Sequence, residues 1–382
     1  NAWLGSFTAG DICGSAVVTH SFVQMVEACG VTGSMVYNFI ATDACGNSIS
    51  NTASFSITDT TDPVWVNMPA NQTVQCDGNG NTGELAAWLN SFTADDLCND
   101  VAVTNNFTSL SNLCGATGTA TVTFTATDEC GNSIQQAASF SIVDTSNPYW
   151  VNEPVDLTVE CNGTGNTVEF NTWLNGFTAD DNCGSASVTY TFISFNGGCG
   201  STLSTTVSFK ATDECGNMIT KVAVFTISDT SDPYWVNIPQ DLVVECDGNG
   251  NSVAFNTWLT GFTADDACGD AAVTYTFTSV EGECGSTMIT TANFTATDEC
   301  GNTITKLATF TIADHTMPMI TYCPPDVLIS CGAESGVAAL GNITATDICD
   351  ANVTVSYTDS DTQGMDPELC DYYSYTITRT FT

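Results

Sequence analysis

Ala126-Thr127-Asp128-Glu129-Cys130-Gly131-Asn132 decides the fold, because the stretch returns at 211–217 and 296–302 and, with Ala44 in place of the glutamate, at 41–47. Asp43, Asp128, Asp213 and Asp298 are spaced by 85 residues, without an insertion. A fixed period of domain size reads as a tandem array. It divides the chain into a partial repeat at 1–59, complete repeats at 60–144, 145–229 and 230–314, and a divergent partial repeat at 315–382. Each complete repeat has the size of a small β-sandwich.

Upstream of the marker, Thr119 to Thr127 alternates threonine with Ala, Val and Phe, the period-2 signature of a half-buried strand. Downstream, Gly131-Asn132 turns the chain into a second strand over 133–143. Each repeat ends in a short joint: Asp59-Thr60-Thr61-Asp62-Pro63, Asp144-Thr145-Ser146-Asn147-Pro148, Asp229-Thr230-Ser231-Asp232-Pro233, and then Asp314-His315-Thr316-Met317-Pro318. Five residues closed by proline leave little slack, so consecutive repeats are expected to touch. A short extended segment follows, then a second proline suited to a sheet-switching kink, then a strand such as Leu157 to Glu160. A Gly/Asn turn such as 77–81 comes next, and Phe170 to Gly176 reads as a single helical turn burying Trp173. The fold class is therefore all-β, a tandem array of immunoglobulin-like sandwiches placed end to end.

Four basic residues stand against 43 acidic ones, a formal net charge of −39, which disfavours nucleic acid and anionic membrane as partners. Nothing in the sequence approaches the ~18 apolar residues of a membrane span. The first residues align with 86–89, in mid-repeat, and the last repeat stops before its own marker, so an excerpt of a longer array is expected.

Nineteen cysteines at recurring positions suit disulfides and an oxidising, extracellular setting. Cys199 and Cys215 bracket one strand and lie roughly 35 Å apart at ~3.3 Å per residue, far beyond the ~7 Å that a disulfide spans. Up-and-down strand order puts Cys183 and Cys215 at one end of their repeat and Cys161 and Cys199 at the other, so these pairs are expected to bond. The same logic pairs Cys98 with Cys130, Cys76 with Cys114, Cys268 with Cys300, Cys246 with Cys284, Cys13 with Cys45, and Cys331 with Cys370. Cys29 and Cys349 would be left over, with Cys323 an alternative partner for Cys349.

The same strand order brings three acidic segments together at each joint: Asp59, Asp62, Asp95, Asp96 and Asp128; Asp144, Asn147, Asp180, Asp181 and Asp213; Asp229, Asp232, Asp265, Asp266 and Asp298. An oxygen-only set of this kind suits Ca2+ at the inter-repeat junctions, and turn chemistry is the competing explanation. The fourth junction keeps Asp314 and Asp347 but has Met317 at a ligand position, so it is expected to bind more weakly. His20 and His315 are the only histidines and no nucleophile–base system recurs, so the chain is not expected to be an enzyme.

With ATDECGN, Val244 to Asn251 (VECDGNGN), FTADDxCG and the DTTDP joint in order, the sequence resembles the hyalin-repeat-like (HYR-like) modules of large secreted proteins, and its motif strings resemble those of Bacteroidota cell-surface proteins. The resemblance covers essentially the whole chain. It implies immunoglobulin-like modules in series, as in long adhesins that include gliding-motility adhesins, exported by type IX secretion. The function expected is a non-enzymatic extracellular stalk projecting adhesive parts for attachment or gliding. An array of polysaccharide-binding modules and a subunit of a self-assembling extracellular filament are the alternatives. The partners expected are neighbouring repeats of the same longer chain, surface polysaccharide or other adhesin subunits.

Overall fold

A computed structural model describes every residue except residue 99 and residues 331–340. The chain is all-β, a tandem array of immunoglobulin-like β-sandwiches, and it separates into two compact units whose boundary runs through the third repeat. The first unit holds Asn1–Val155, Leu174–Thr191 and Ser208–Ala223; the second holds Asp156–Trp173, Phe192–Val207 and Val224–Thr382.

In the first unit, β1 (Val17–Glu27), β2 (Gly33–Thr42) and β3 (Ser48–Ile57) form an antiparallel sheet in that order. The second repeat contributes β4 (Val64–Asn67), β5 (Gln72–Gln75), α1 (Thr82–Leu89), β6 (Thr93–Asp95), β7 (Val101–Asn105), β8 (Gly118–Asp128) and β9 (Ser133–Val143). Its main sheet has the order β5-β9-β8-β7, with β5 parallel to β9, while β4 pairs with β6 instead. Pro69 stands between β4 and β5, and the chain changes sheets there, as the sequence suggests.

Alternation decides what faces inward. On β8, Val122, Phe124 and Ala126 are buried, and on β9, Ala138, Phe140 and Ile142 are buried. Trp88 on α1 closes the core, 5.2 Å from the Phe124 ring and 5.4 Å from the Phe140 ring. Its indole N–H donates to the Ala70 carbonyl at 2.9 Å, so the polar atom of a buried ring is satisfied.

The helix is longer than the single turn read from sequence: α1 has eight residues, and its counterpart in the third repeat covers Thr167–Asn175. The Gly/Asn turn starts it. Asn81 adopts φ 49° and its side-chain amide donates to the Gln75 carbonyl at 2.9 Å. The Asp77 carboxylate accepts the N–H groups of Asn79 and Asn81. Asn tolerates this left-handed conformation because its short amide bonds locally. Packing of the Trp, rather than helix propensity, then sustains two turns.

The third repeat comprises β10 (Tyr149–Asn152), β11 (Leu157–Glu160), α2 (Thr167–Asn175), β12 (Thr178–Asp180), β13 (Ala186–Gly197), β14 (Leu203–Asp213) and β15 (Met218–Ser228), with the strand order β11-β15-β14-β13. Within the second unit, the fourth repeat has β16 (Tyr234–Asn237), β17 (Leu242–Glu245), α3 (Ser252–Thr260), β18 (Thr263–Asp265), β19 (Asp270–Glu281), β20 (Met288–Asp298) and β21 (Thr303–Ala313). There β18 also pairs with β19, giving one sheet of order β16-β18-β19-β20-β21-β17. The last segment adds two small ribbons, β22 (Met319–Tyr322) with β23 (Thr344–Thr346) and β24 (Tyr357–Asp361) with β25 (Ile377–Phe381).

Candidate functional site at the repeat junctions

The marker stretch folds on itself. The Asp128 carboxylate accepts the Cys130 N–H at 2.8 Å, the Asn132 N–H at 2.9 Å and the Asn132 side-chain amide at 2.8 Å. Asp43, Asp213 and Asp298 make the same three contacts in their own turns. Burial pushes the Asp128 carboxyl up, but the bonds from Asn132, Cys130 and Gly131 outweigh it and hold it below its ordinary value. The aspartate of ATDECGN is thus the organiser of an Asx-type turn, with Gly131 at φ 90° completing the reversal.

A second carboxylate group sits at each junction. Ligand-type atoms of Asp59, Asp96 and Cys98, of Asp144, Asp181 and Cys183, of Asp229, Asp266 and Cys268, and of Asp314, Asp347 and Cys349 lie within 4.8 Å of one another in each set. Of the candidate ligands, these groups gather Asp59, Asp96, Asp144, Asp181, Asp229 and Asp266. Asp95, Asp180 and Asp265 instead accept the N–H of the next aspartate. Asp62, Asn147, Asp232, Asp128, Asp213 and Asp298 stand outside the groups, so Met317 replaces no member and the fourth junction keeps the full set. At the third junction, burial raises the Asp229 carboxyl, and repulsion from Asp266, Asp298 and Glu160 adds to it against one bond from the Ser231 N–H.

The cysteines give the largest departure from the sequence reading. Six disulfides form among the described residues, and each joins two consecutive repeats. Cys76–Cys183, Cys161–Cys268 and Cys246–Cys349 tie the residue after the parallel strand to the next repeat's acidic loop. Cys29–Cys130, Cys114–Cys215 and Cys199–Cys300 tie a hairpin to the next repeat's marker turn. The pairings of Cys76 with Cys114, Cys98 with Cys130, Cys161 with Cys199, Cys183 with Cys215, Cys246 with Cys284 and Cys268 with Cys300 are therefore corrected. Cys29 and Cys349, expected to be left over, are both bonded. Cys13 and Cys45 are free thiols rather than a pair, as are Cys98, Cys284, Cys323 and Cys370. Cys331 lies outside the described residues.

The physical reason is that strand direction fixes which end of a repeat a cysteine occupies, not which repeat faces it there. Glycine supplies the missing information. Gly115, at φ 54°, brings its backbone so close to the next repeat that a Cβ would lie 2.1 Å from the Cys183 carbonyl oxygen. Gly200 meets the Cys268 carbonyl and Gly285 the Cys349 carbonyl at 2.2 Å in the same way. Backbone bonds follow: the N–H groups of Ala116, Ser201 and Ser286 donate to Cys183, Cys268 and Cys349 at 2.7, 2.6 and 2.8 Å. Glu214 reaches across the second junction, accepting the Gly115 N–H at 3.0 Å and the Ser185 hydroxyl at 2.8 Å. The signal in the sequence was the glycine directly after each hairpin cysteine, as in Cys114-Gly115.

Joints are laced to the end of the preceding parallel strand. Glu160 accepts the Thr230 N–H and the hydroxyls of Thr230 and Ser231 at 2.8–3.0 Å. Glu245 accepts the His315 N–H at 2.8 Å and the Thr316 hydroxyl at 2.8 Å, and these bonds, the His315 backbone first, hold its carboxyl down at about 2.

No protein-family model and no curated protein matches the chain. Among solved structures it is similar to the protocadherin gammaB4 extracellular domain, at 12% identity over 92% of this chain and 70% of that one, with a TM-score of 0.35. It is similar to the human desmocollin-1 ectodomain at 10% identity over 93% of this chain and 84% of that one, with a TM-score of 0.23. The immunoglobulin domains 1–5 of sidekick-1 align at 12% identity over 79% of this chain and 75% of that one, also at a TM-score of 0.23. Alignments this loose leave function to be read from the chain's own residues.

Proposed function

We propose that the chain is a non-enzymatic extracellular segment of an adhesive stalk of the HYR-like kind, in which consecutive repeats are covalently cross-tied so that load bypasses the sandwiches. The observation that carries this reading is the overlap of the disulfide loops. A force applied beyond Cys29 and Cys349 has a short covalent route: Cys29–Cys130, 31 residues to Cys161, Cys161–Cys268, 22 residues back to Cys246, and Cys246–Cys349. At ~3.4 Å per extended residue, those two stretches yield about 180 Å, against about 1,100 Å for the reduced chain between the same points. Bonds of this kind require an oxidising compartment, which fits export from the cell. Surface attachment, gliding and the type IX route follow from the motif resemblance and belong to the same proposal.

Single-molecule pulling from both termini tests it. The oxidised chain is expected to stop lengthening at about one-sixth of the extension that the reduced chain reaches between Cys29 and Cys349. Equal extension in the two states would refute the load-bypass reading.

Calcium has a secondary place in this proposal. Each junction offers two carboxylates, and at the second, third and fourth junctions the sulfur is already committed to a disulfide. Calcium takes six to eight oxygens, so backbone carbonyls and water would supply most of its shell. Relief of the repulsion on Asp229 is what binding would contribute. Melting in 2 mM calcium is expected to rise by a few degrees over melting in chelator, and identical curves would leave the carboxylates to turn chemistry alone.

A further inference from the structure

The first repeat carries an open strand-binding edge. In the second, third and fourth repeats the last long strand is flanked on one side by a parallel tetrapeptide: β9 by Gln72–Gln75, β15 by Leu157–Glu160 and β21 by Leu242–Glu245. The corresponding strand β3 pairs only with β2 among the described residues. Its inward side chains report the difference: Phe55 and Ile57 are 41% and 44% exposed, against 0% and 2% for Phe140 and Ile142 and for Phe310 and Ile312.

The same chain also carries a matching strand with nothing to pair with. Val327-Leu328-Ile329-Ser330 falls 85 residues after Leu242–Glu245 and repeats its pattern. It is outside every sheet of the described residues, with Val327, Leu328 and Ile329 exposed. The residue before it matches as well. Asn71, Asp156 and Asp241 each accept a backbone N–H of the neighbouring long strand, at Ser139, Val224 and Thr309, all at 2.8 Å. Asp326 occupies that position before Val327, and Ser54 is the matching donor on β3.

We propose that β3 is an acceptor for residues 327–330 of a second copy of the chain, docked in parallel with Val327 opposite Phe55, Leu328 opposite Ser56, Ile329 opposite Ile57 and Ser330 opposite Thr58. Three examples within the chain show this register hydrogen-bonded and its inward face buried, so the pairing needs no geometry that the fold lacks. Strand addition to an exposed edge gains main-chain hydrogen bonds along its length and specificity from alternate side chains. Each copy has one acceptor and one donor on different surfaces, so the contact is heterologous and propagates as an open series rather than closing a dimer. This inference is independent of the load-bypass reading: it concerns association between copies, not extension of one.

Sedimentation velocity of the oxidised chain tests it, run at 0.15 M NaCl, where the Debye length of about 8 Å screens repulsion between these acidic molecules. The wild type at ~100 µM is expected to populate species above monomer, with mass rising with concentration. Ile57→Lys blocks the acceptor and Ile329→Lys the donor, so each variant alone is expected to be monomeric. An equimolar mixture retains one good donor and one good acceptor and is expected to stop at a heterodimer. Peptide mapping that finds Cys29–Cys130 intact in Ile57→Lys would show that the first repeat still folds. A monomeric wild type, or a mixture that stays monomeric, overturns the proposal.

Discussion

The second junction and the first are built from the same turns, yet one has two disulfides and the other has one. At the second, Cys76–Cys183 and Cys114–Cys215 close together, Asp181 caps the Cys183 N–H at 2.7 Å, and Ala116 donates to the Cys183 carbonyl. At the first, Cys29–Cys130 forms, Asp96 caps the Cys98 N–H at 2.7 Å, and Val31 donates to the Cys98 carbonyl at 3.3 Å, but the Cys98 sulfur is a thiol. Burial, and after it the carboxylates of Asp59, Asp96 and Asp128, push that thiol up. The loop geometry is therefore independent of the bond. The acidic loop is shaped by its own aspartates, and the disulfide is added to a surface already formed.

This contrast predicts a sharp asymmetry between two chemically identical substitutions. Cys183→Ser removes a cross-link that closes a loop of 107 residues and is expected to cost about 4 kcal/mol in the unfolding of the second junction. Cys98→Ser removes no bond and is expected to stay within about 0.5 kcal/mol of the parent. Denaturant titration of the two variants, followed by tryptophan fluorescence, checks the difference; equal losses would mean that the loop, not the bond, holds the junction.

A smaller effect separates packing from conformation. Gly115 and Gly131 both have positive φ, 54° and 90°, but only Gly115 lies against a neighbouring backbone, with open space beside Gly131. Gly131→Ala is expected to cost about 1–2 kcal/mol for the left-handed backbone alone. Gly115→Ala adds a clash with the Cys183 carbonyl and is expected to cost about 3–4 kcal/mol. If the two losses agree, the close approach contributes nothing beyond the turn.

The contrast also shows what the sequence made readable. Strands were legible because period-2 alternation and punctuating glycines are local properties of the chain: Val122, Phe124 and Ala126 are buried as their spacing implies. The junctions were legible as places, since aspartates and cysteines recur there, but not as contacts. Asp128 spends its oxygens on Cys130 and Asn132 within its own turn, a use that local hydrogen bonding dictates and a motif search counts as a free ligand. Cysteine partners were misassigned because up-and-down order places Cys183 and Cys215 at one end without saying that the preceding repeat presents Cys76 and Cys114 to that end. Gly78 and Gly115 held that information, because a positive-φ residue beside a cysteine marks where another backbone comes close.

The smallest expected effect distinguishes the second and fourth junctions by pH. Gln75 laces the second joint through the Thr145 hydroxyl at 2.9 Å, whereas Glu245 laces the fourth through His315 and Thr316. A glutamine does not titrate. The Glu245 carboxyl, held at about 2 in the folded chain against an ordinary 4.5, contributes stability that is fully present above the ordinary value. That contribution is lost as pH falls from about 4.5 towards 2, because protonation removes the acceptor charge that the His315 and Thr316 donors require. Glu245→Gln is expected to flatten the dependence of the second unit's melting midpoint on pH across that window and to leave it nearly unchanged at pH 7, since the amide oxygen still accepts from the His315 N–H. Because the carboxylate is exposed, the change is expected to amount to a degree or two. Parallel midpoint curves for wild type and Glu245→Gln between pH 5 and 2 would show that the charge on Glu245 adds nothing to the lacing that Gln75 achieves without one.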